Sequence, residues 1–185
     1  PLLALRVGRL CGAHEALTLR AAAAAELVHC ASLVVDDLPS MDNEKLRRGK
    51  PTAHVAYGEA TALLAAFGLV ALAARSVTEQ PAPERFWTAQ RRYQHSLLKT
   101  LDCASLIAGQ MMDLELAGER REACRERINE LKTTPLFLLA IEAGTAYADA
   151  PPYPLLNRFG REFGAAFQLT DDYLDGELAG PDARG

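Results

Sequence analysis

Two groups of aspartates in this chain could do chemistry: Asp36-Asp37-Leu-Pro-Ser-Met-Asp42, and Asp171-Asp172-Tyr-Leu-Asp175. The first runs into Arg47-Arg48-Gly49, and the second is led in by Phe167-Gln168. Carboxylates this dense repel one another unless something positive sits between them. A hard divalent cation such as magnesium, which takes oxygen ligands and keeps waters for bridging to phosphate, meets that need. The arginine pair adds forked donors that match phosphate oxygens. The combination points to divalent cations clamping a phosphorylated substrate.

Each group also has a plain reading. On a helix, Asp171 and Asp175 stand one turn apart and Asp172 and Asp175 three residues apart, so all three share nearly one face. Such a face could be a solvated acidic helix end. In the first group Asp42 follows Asp37 by five residues, and a regular helix would turn it away from Asp36. The group works as a unit only if the helix ends at Pro39 and the chain bulges back; Asp-Pro turns are also common as simple caps. Arg47 and Arg48 alone read as surface, and Lys132-Thr133 as a charge complement to a helix end. His29 alone reads as a core histidine, and Gln110 with Asp113 as an interhelical hydrogen-bond pair.

The elements that must position these residues are helical. Of the 185 residues 49% are apolar, enough for one core, and the net charge of −4 gives no basis for nucleic-acid binding. The glycine- and proline-free stretch from about Glu15 to Val35 predicts a long helix that Pro39 interrupts, followed by a polar loop from Asn43 to Pro51. Further helices are expected over about His54–Ser76, from Glu84 to about Leu116, over Arg121–Lys132, over Leu136–Gly144 after Pro135, and from Leu155 to about Leu178. The uncharged run Ala60–Ala74 is short for a bilayer and reads as a buried helix, so no stable membrane span is expected. Cys11, Cys30, Cys103 and Cys124 follow neither metal-site nor disulfide spacing, which points to reduced thiols and a cytoplasmic protein. The expected fold is all-α, a helical bundle forming a single domain over residues 1–185.

Four strings, in order, make a pattern: Asp-Asp-Leu-Pro-Ser-Met-Asp-Asn-x-x-Leu-Arg-Arg-Gly-Lys-Pro-Thr-x-His (36–54), Gly-Gln-x-x-Asp (109–113), Lys-Thr-x-Pro-Leu-Phe (132–137) and Phe-Gln-Leu-Thr-Asp-Asp-Tyr-Leu-Asp (167–175). The chain thereby resembles the trans-isoprenyl diphosphate synthases, the polyprenyl synthetases. That resemblance implies an isoprenoid-synthase-type all-α bundle around a central cavity, usually a homodimer. It implies Mg²⁺ as cofactor, with Asp36 and Asp42 as ligands supported by Asp37, and Asp171 as a ligand with Asp172 and Asp175 completing the acidic face. Arg47 would hold the allylic diphosphate; Arg48 and His29 would contact isopentenyl diphosphate. Lys132 and Thr133 would lie beside the allylic diphosphate and the developing cation, with Gln168 a further allylic-side contact, giving these three catalytic as well as binding roles. The implied reaction condenses isopentenyl diphosphate with dimethylallyl, geranyl or farnesyl diphosphate and releases pyrophosphate.

The chain departs from the family pattern in places. Pro1 matches the last residue of a Gly-Lys-x-x-Arg-Pro motif, and the family continues through further helices beyond the second aspartate group. The expectation is therefore a family domain lacking its N-terminal and C-terminal parts in this sequence. Ala66-Phe67-Gly68 stands where many members carry Gly-Asp-Ala, and Val35 where histidine is common. Two alternatives stand beside the prenyltransferase: a non-catalytic partner subunit, and a terpene cyclase, whose second metal motif usually differs from 171–175. Ala31 and Ser32, five and four residues before Asp36, are small where bulky residues in the family set a short product. The expected product is geranylgeranyl diphosphate or longer.

Overall fold

The computed structural model describes residues 1–79, 82–116, 118–149 and 151–174, and these are all-α apart from one two-residue hairpin. They form two compact units: Pro1–Lys99 with Glu142–Pro151, and Thr100–Ile141 with Pro152–Leu174.

The first unit is built on α2 (Glu15–Asp36), whose alanine run suits both helix propensity and close packing. Ala21, Ala22, Ala24, Ala25, Val28 and Ala31 are buried, and small side chains let α4 (Glu59–Thr78) approach through Ala62, Ala66, Ala73 and Val77. A short helix not foreseen from sequence, α1 (Leu2–Leu10), lies on α2 so closely that a Cβ at Gly8 would stand 2.7 Å from Thr18 Cγ2. Helix α5 (Trp87–Thr100), entered through a 3₁₀ turn at Glu84–Phe86, is tied to α2 by the fully buried Tyr93, whose hydroxyl donates to the Ala21 carbonyl at 2.7 Å. His14, Phe86 and Tyr147 pack edge to face beside the start of α2. The site-bearing end of α2 thus belongs to a helix fixed from several sides.

The second unit comprises α6 (Leu106–Glu115), α7 (Gly118–Lys132), the first part of α8 (Thr134–Thr145) and α9 (Tyr153–Leu174). Helix α6 crosses α7 at Gly109, where an added Cβ would lie 2.8 Å from Leu131 Cβ and 2.9 Å from the Lys132 nitrogen. On α9, Gly160 and Gly164 receive Leu138, Ile141 and Phe137, and Phe137 meets the rings of Phe163 and Phe167 at 5.2 and 5.5 Å.

The expected helices are found, the last of them as far as Leu174 with residues 175–178 outside the described residues, and with three differences. The polar segment 43–51 contains an antiparallel hairpin, β1 (Leu46–Arg47) with β2 (Lys50–Pro51), not an open loop. Its turn residues Arg48 and Gly49 both have positive φ, 52° and 74°, as a tight two-residue turn requires. The helix expected over His54–Ser76 is divided into α3 (Ala53–Tyr57) and α4 by Gly58, at φ 86° and ψ 154°, a conformation glycine adopts without strain. The helix expected from Glu84 to Leu116 breaks over Leu101–Ser105, where Asp102 accepts a turn bond from Ser105 N–H at 2.9 Å. The apolar spacing continues through that break, so periodicity does not reveal it. Helix α4 is 20 residues long, and by length and apolarity both α2 and α4 reach the dimension of a bilayer span. Length therefore does not separate a core helix from a spanning one here, contrary to the expectation from Ala60–Ala74.

Candidate active site

In the first unit the candidate residues gather at the C-terminal end of α2 and in the hairpin after it. The helix stops at Asp36, and the chain folds back as the proline requires: Asp42 N–H donates to the Asp36 carbonyl at 2.9 Å, and Asn43, at φ 53°, donates to the Leu38 carbonyl. This backbone bond brings Asp42 back beside Asp36 despite the helix-breaking spacing. Thr52, buried at 3% exposure, closes the hairpin base by donating its hydroxyl to the Glu44 carbonyl at 2.7 Å.

Arg47 binds Asp37 bidentately: Nε to Oδ1 at 3.0 Å and Oδ2 at 3.1 Å, and Nη2 to Oδ1 at 2.8 Å. The Asp37 hydrogen bonds hold the Arg47 pKa above its ordinary value, opposed by burial and reinforced by the charges of Asp37, Asp36 and Asp42. Arg47 therefore sits in the field of all three aspartates. Arg48, in the turn, is exposed. His29, two turns back along α2, is half-buried, and its Nδ1 has no partner among the described residues. Burial pushes its pKa down, opposed by the charge of Glu26 and reinforced by those of Arg48, the N-terminus and Arg47, which favours the neutral imidazole. The histidine and both arginines thus lie within electrostatic reach of one another.

The second unit carries its own group of candidate residues. Lys132 Nζ donates to Asp113 Oδ2 at 2.7 Å, the side chains being 22% and 12% exposed. Asp113 pairs with the lysine rather than with Gln110, whose Nε2 has no partner among the described residues. The role of Asp113 is one the sequence reading missed; the Gly-Gln-x-x-Asp string was its only signal. Thr133 Oγ1 donates to Gln168 Oε1 at 2.6 Å, joining the α7–α8 junction to α9. Residues 171 and 172 occupy the next turn of α9 after Gln168. The Asp171 and Asp172 side chains, and Asp175 altogether, lie outside the described residues.

Of the two small residues on α2, Ala31 is buried at 3% exposure, and Ser32 is half-buried with its hydroxyl donating to the His29 carbonyl at 2.9 Å. All four cysteines are free thiols.

Among the described residues no group of three His, Cys, Asp or Glu side chains is gathered closely enough to hold a metal by itself. The donor set at 36–42 nonetheless fits magnesium. That ion binds through one or two carboxylates plus substrate phosphate oxygens and water, and Asp36 and Asp42 supply two carboxylates from backbone tied together. A phosphate with its ions would meet carboxylates on one side and guanidinium on the other.

The family described as polyprenyl synthetase matches residues 1–180. The chain is 39% identical over 182 residues to farnesyl diphosphate synthase of Geobacillus stearothermophilus, covering 97% of this chain and 61% of that protein. It is 38% identical over 184 residues to geranylgeranyl diphosphate synthase of Pantoea ananas, covering 95% of this chain and 59% of that protein. The structure of an FPP/GFPP synthase from Zymomonas mobilis superposes with a TM-score of 0.87 at 31% identity, over 95% of this chain and 65% of that one. The chain thus spans about 60% of the length of these curated relatives. Its helices, its two aspartate strings and its match over 1–180 show that the chain belongs to the polyprenyl synthetase family.

Proposed function

We propose that the protein is a magnesium-dependent trans-prenyltransferase that condenses isopentenyl diphosphate with an allylic diphosphate to a longer prenyl diphosphate. The observation that carries this reading is the first aspartate string folded around Arg47, with Arg48 and His29 in electrostatic reach. When bound, Mg²⁺ would neutralise the allylic diphosphate and favour departure of pyrophosphate with the bonding electrons. Asp36 and Asp42, with Asp171, Asp172 and Asp175, would hold the ions. Arg47 grips the allylic diphosphate; Arg48 and His29 orient isopentenyl diphosphate so that its double bond reaches the allylic carbon. Lys132, set by Asp113, supplies a fixed positive charge to the allylic phosphate oxygens. The Thr133 hydroxyl proton is committed to Gln168, which leaves its oxygen lone pairs to face the developing cation. In this reading the protein works in the cytoplasm and as a homodimer, with no membrane span and no nucleic acid.

The test is incubation with Mg²⁺, isopentenyl diphosphate and each allylic diphosphate, followed by product analysis. A longer prenyl diphosphate is the expected product; a cyclic hydrocarbon or no reaction overturns the reading. The small residues before Asp36 support geranylgeranyl diphosphate or a longer chain over farnesyl diphosphate. Phenylalanine at buried position 31 would overpack its own unit, so the floor is better tested at position 32. Ser32→Phe should shorten the product by at least one isoprene unit, and an unchanged distribution would show that the floor lies elsewhere.

The arginine pair gives a second expected result. Arg47→Lys should raise KM for the allylic substrate, and Arg48→Lys KM for isopentenyl diphosphate, each on the order of tenfold, because a forked contact becomes a point charge. Steady-state kinetics with each substrate varied in turn reads this out. Equal effects of both variants on both substrates would remove the assignment.

A further inference from the structure

We propose that His54 is a positioning residue for the hairpin between Glu44 and Thr52, and that it acts through the Thr52 hydroxyl. Both residues stand at the end of the first sequence string, and neither has a part in the reaction described above. Thr52 is 3% exposed and is the N-cap of α3. An N-cap threonine ordinarily turns its hydroxyl to an amide of the first helical turn. Here no side-chain cap bond is made, and the Val55 N–H goes to the Thr52 carbonyl at 3.1 Å. The hydroxyl is spent across the hairpin base instead, on the Glu44 carbonyl at 2.7 Å, and the Thr52 N–H donates to the Lys45 carbonyl at 3.1 Å. Two donors of one residue thus tie the chain entering the hairpin to the helix that follows it.

His54 completes the latch. Its Nδ1 stands 3.2 Å from Thr52 Oγ1. A hydroxyl has one proton and the Glu44 carbonyl can only accept, so that proton points at Glu44. Oγ1 therefore meets Nδ1 with a lone pair, and Nδ1 must carry the hydrogen. This bond fixes the rotation of the hydroxyl and keeps it aimed across the base. The neutral Nδ1–H tautomer and the imidazolium both supply it. The hairpin needs a latch because packing does not hold it: from Asp42 to Pro51 every residue is exposed except Arg47, which is half-buried. Segments with few buried contacts open at low cost. Arg47 has a tether of its own in Asp37, at 2.8 Å, whereas Arg48 sits in the turn at φ 52° and takes its place from the hairpin backbone. Loss of the latch should therefore tell on Arg48 more than on Arg47.

The kinetic part of this inference rests on the proposed reading of Arg48 as the isopentenyl diphosphate contact; the latch itself does not. The test is amide hydrogen exchange between residues 44 and 52 of the full chain, with melting curves, beside steady-state kinetics with Mg²⁺ and each diphosphate varied in turn. The variants are His54→Ala; His54→Asn, whose amide nitrogen stands where Nδ1 does; His54→Gln, whose amide reaches the place of Nε2; Thr52→Ser; and Thr52→Val. In His54→Ala the hairpin amides should exchange about tenfold faster, the equivalent of one hydrogen bond. KM for isopentenyl diphosphate should rise about tenfold, with kcat and the allylic KM within about twofold. His54→Asn and Thr52→Ser should restore both readouts, and His54→Gln neither. The His54→Ala/Thr52→Val double should be no worse than Thr52→Val alone, since the histidine acts through the hydroxyl. Should Thr52→Val fail to fold, the His54 variants carry the comparison. Unchanged hairpin exchange in His54→Ala overturns the inference, as does rescue by His54→Gln equal to that by His54→Asn. Faster exchange with both KM values unchanged, or raised alike, overturns the positioning role and leaves the proposed function intact. No turnover in the wild type overturns the proposed function, and the exchange ranking then upholds or overturns the latch by itself.

Discussion

Replacing Asp36 or Asp171 by alanine is expected to lower turnover by about 10³-fold or more, on the scale of 4 kcal/mol or more of lost transition-state stabilisation. The helical fold should survive. Asp36 is half-buried at the end of α2, and its backbone carbonyl, which accepts the bond from Asp42, is kept by alanine. Removing one of several crowded carboxylates also relieves repulsion. Single-turnover rates at saturating Mg²⁺, beside circular dichroism and a melting curve, separate loss of chemistry from loss of structure. Raising Mg²⁺ should recover part of the lost rate in either variant if the aspartates hold the ion. Near-full activity in either variant would end the metal assignment, whatever the family match.

The sequence and the structure agree where local chemistry governs. The end of α2 and, to within two residues, the proline-marked starts of α8 and α9 are set by residues within a few positions of each other and are read from spacing. Spacing leaves the return of Asp42 open, and its backbone bond to Asp36 shows it. The breaks at Gly58 and at Leu101–Ser105 are different, because the apolar period runs through both and only the backbone conformation shows the interruption. Helix α1 escaped because nine residues carry too few periods for a pattern to stand out, and its Pro1 cap makes no side-chain hydrogen bond. The partners of Asp37 and Asp113 lie ten and 19 residues away across a turn or a helix crossing. No periodicity predicts that an aspartate read as a metal support also holds an arginine. The resemblance supplied residue roles, but only the geometry shows which carboxylate is already committed to a cation of the protein's own.

The helix crossing at Gly109 yields the other large effect. Glycine there is required by space, not by backbone conformation: the Cβ of any other residue would meet Leu131 Cβ at 2.8 Å, Lys132 N at 2.9 Å and Leu131 C at 3.0 Å. Two of these three atoms are backbone, so no rotamer change relieves the clash, and α6 and α7 must move apart. Gly109→Val should therefore destabilise the protein by about 2–3 kcal/mol, offset only slightly by the gain in chain stiffness. The functional consequence follows from the position of the crossing. Asp113 stands one turn beyond Gly109 on α6, and its 2.7 Å ion pair to Lys132 depends on the spacing that the glycine permits. Thr133, the next residue, holds Gln168 at 2.6 Å, so a displaced junction disturbs that contact too. Activity in Gly109→Val should fall even at temperatures where the variant is fully folded. Asp113→Asn, by contrast, should keep most of the stability and raise KM for the allylic diphosphate, since it frees the lysine without parting the helices. Thermal melts and substrate kinetics of the two variants side by side decide the matter. A Gly109→Val protein as stable and as active as the wild type would mean that the two helices do not meet this closely in solution.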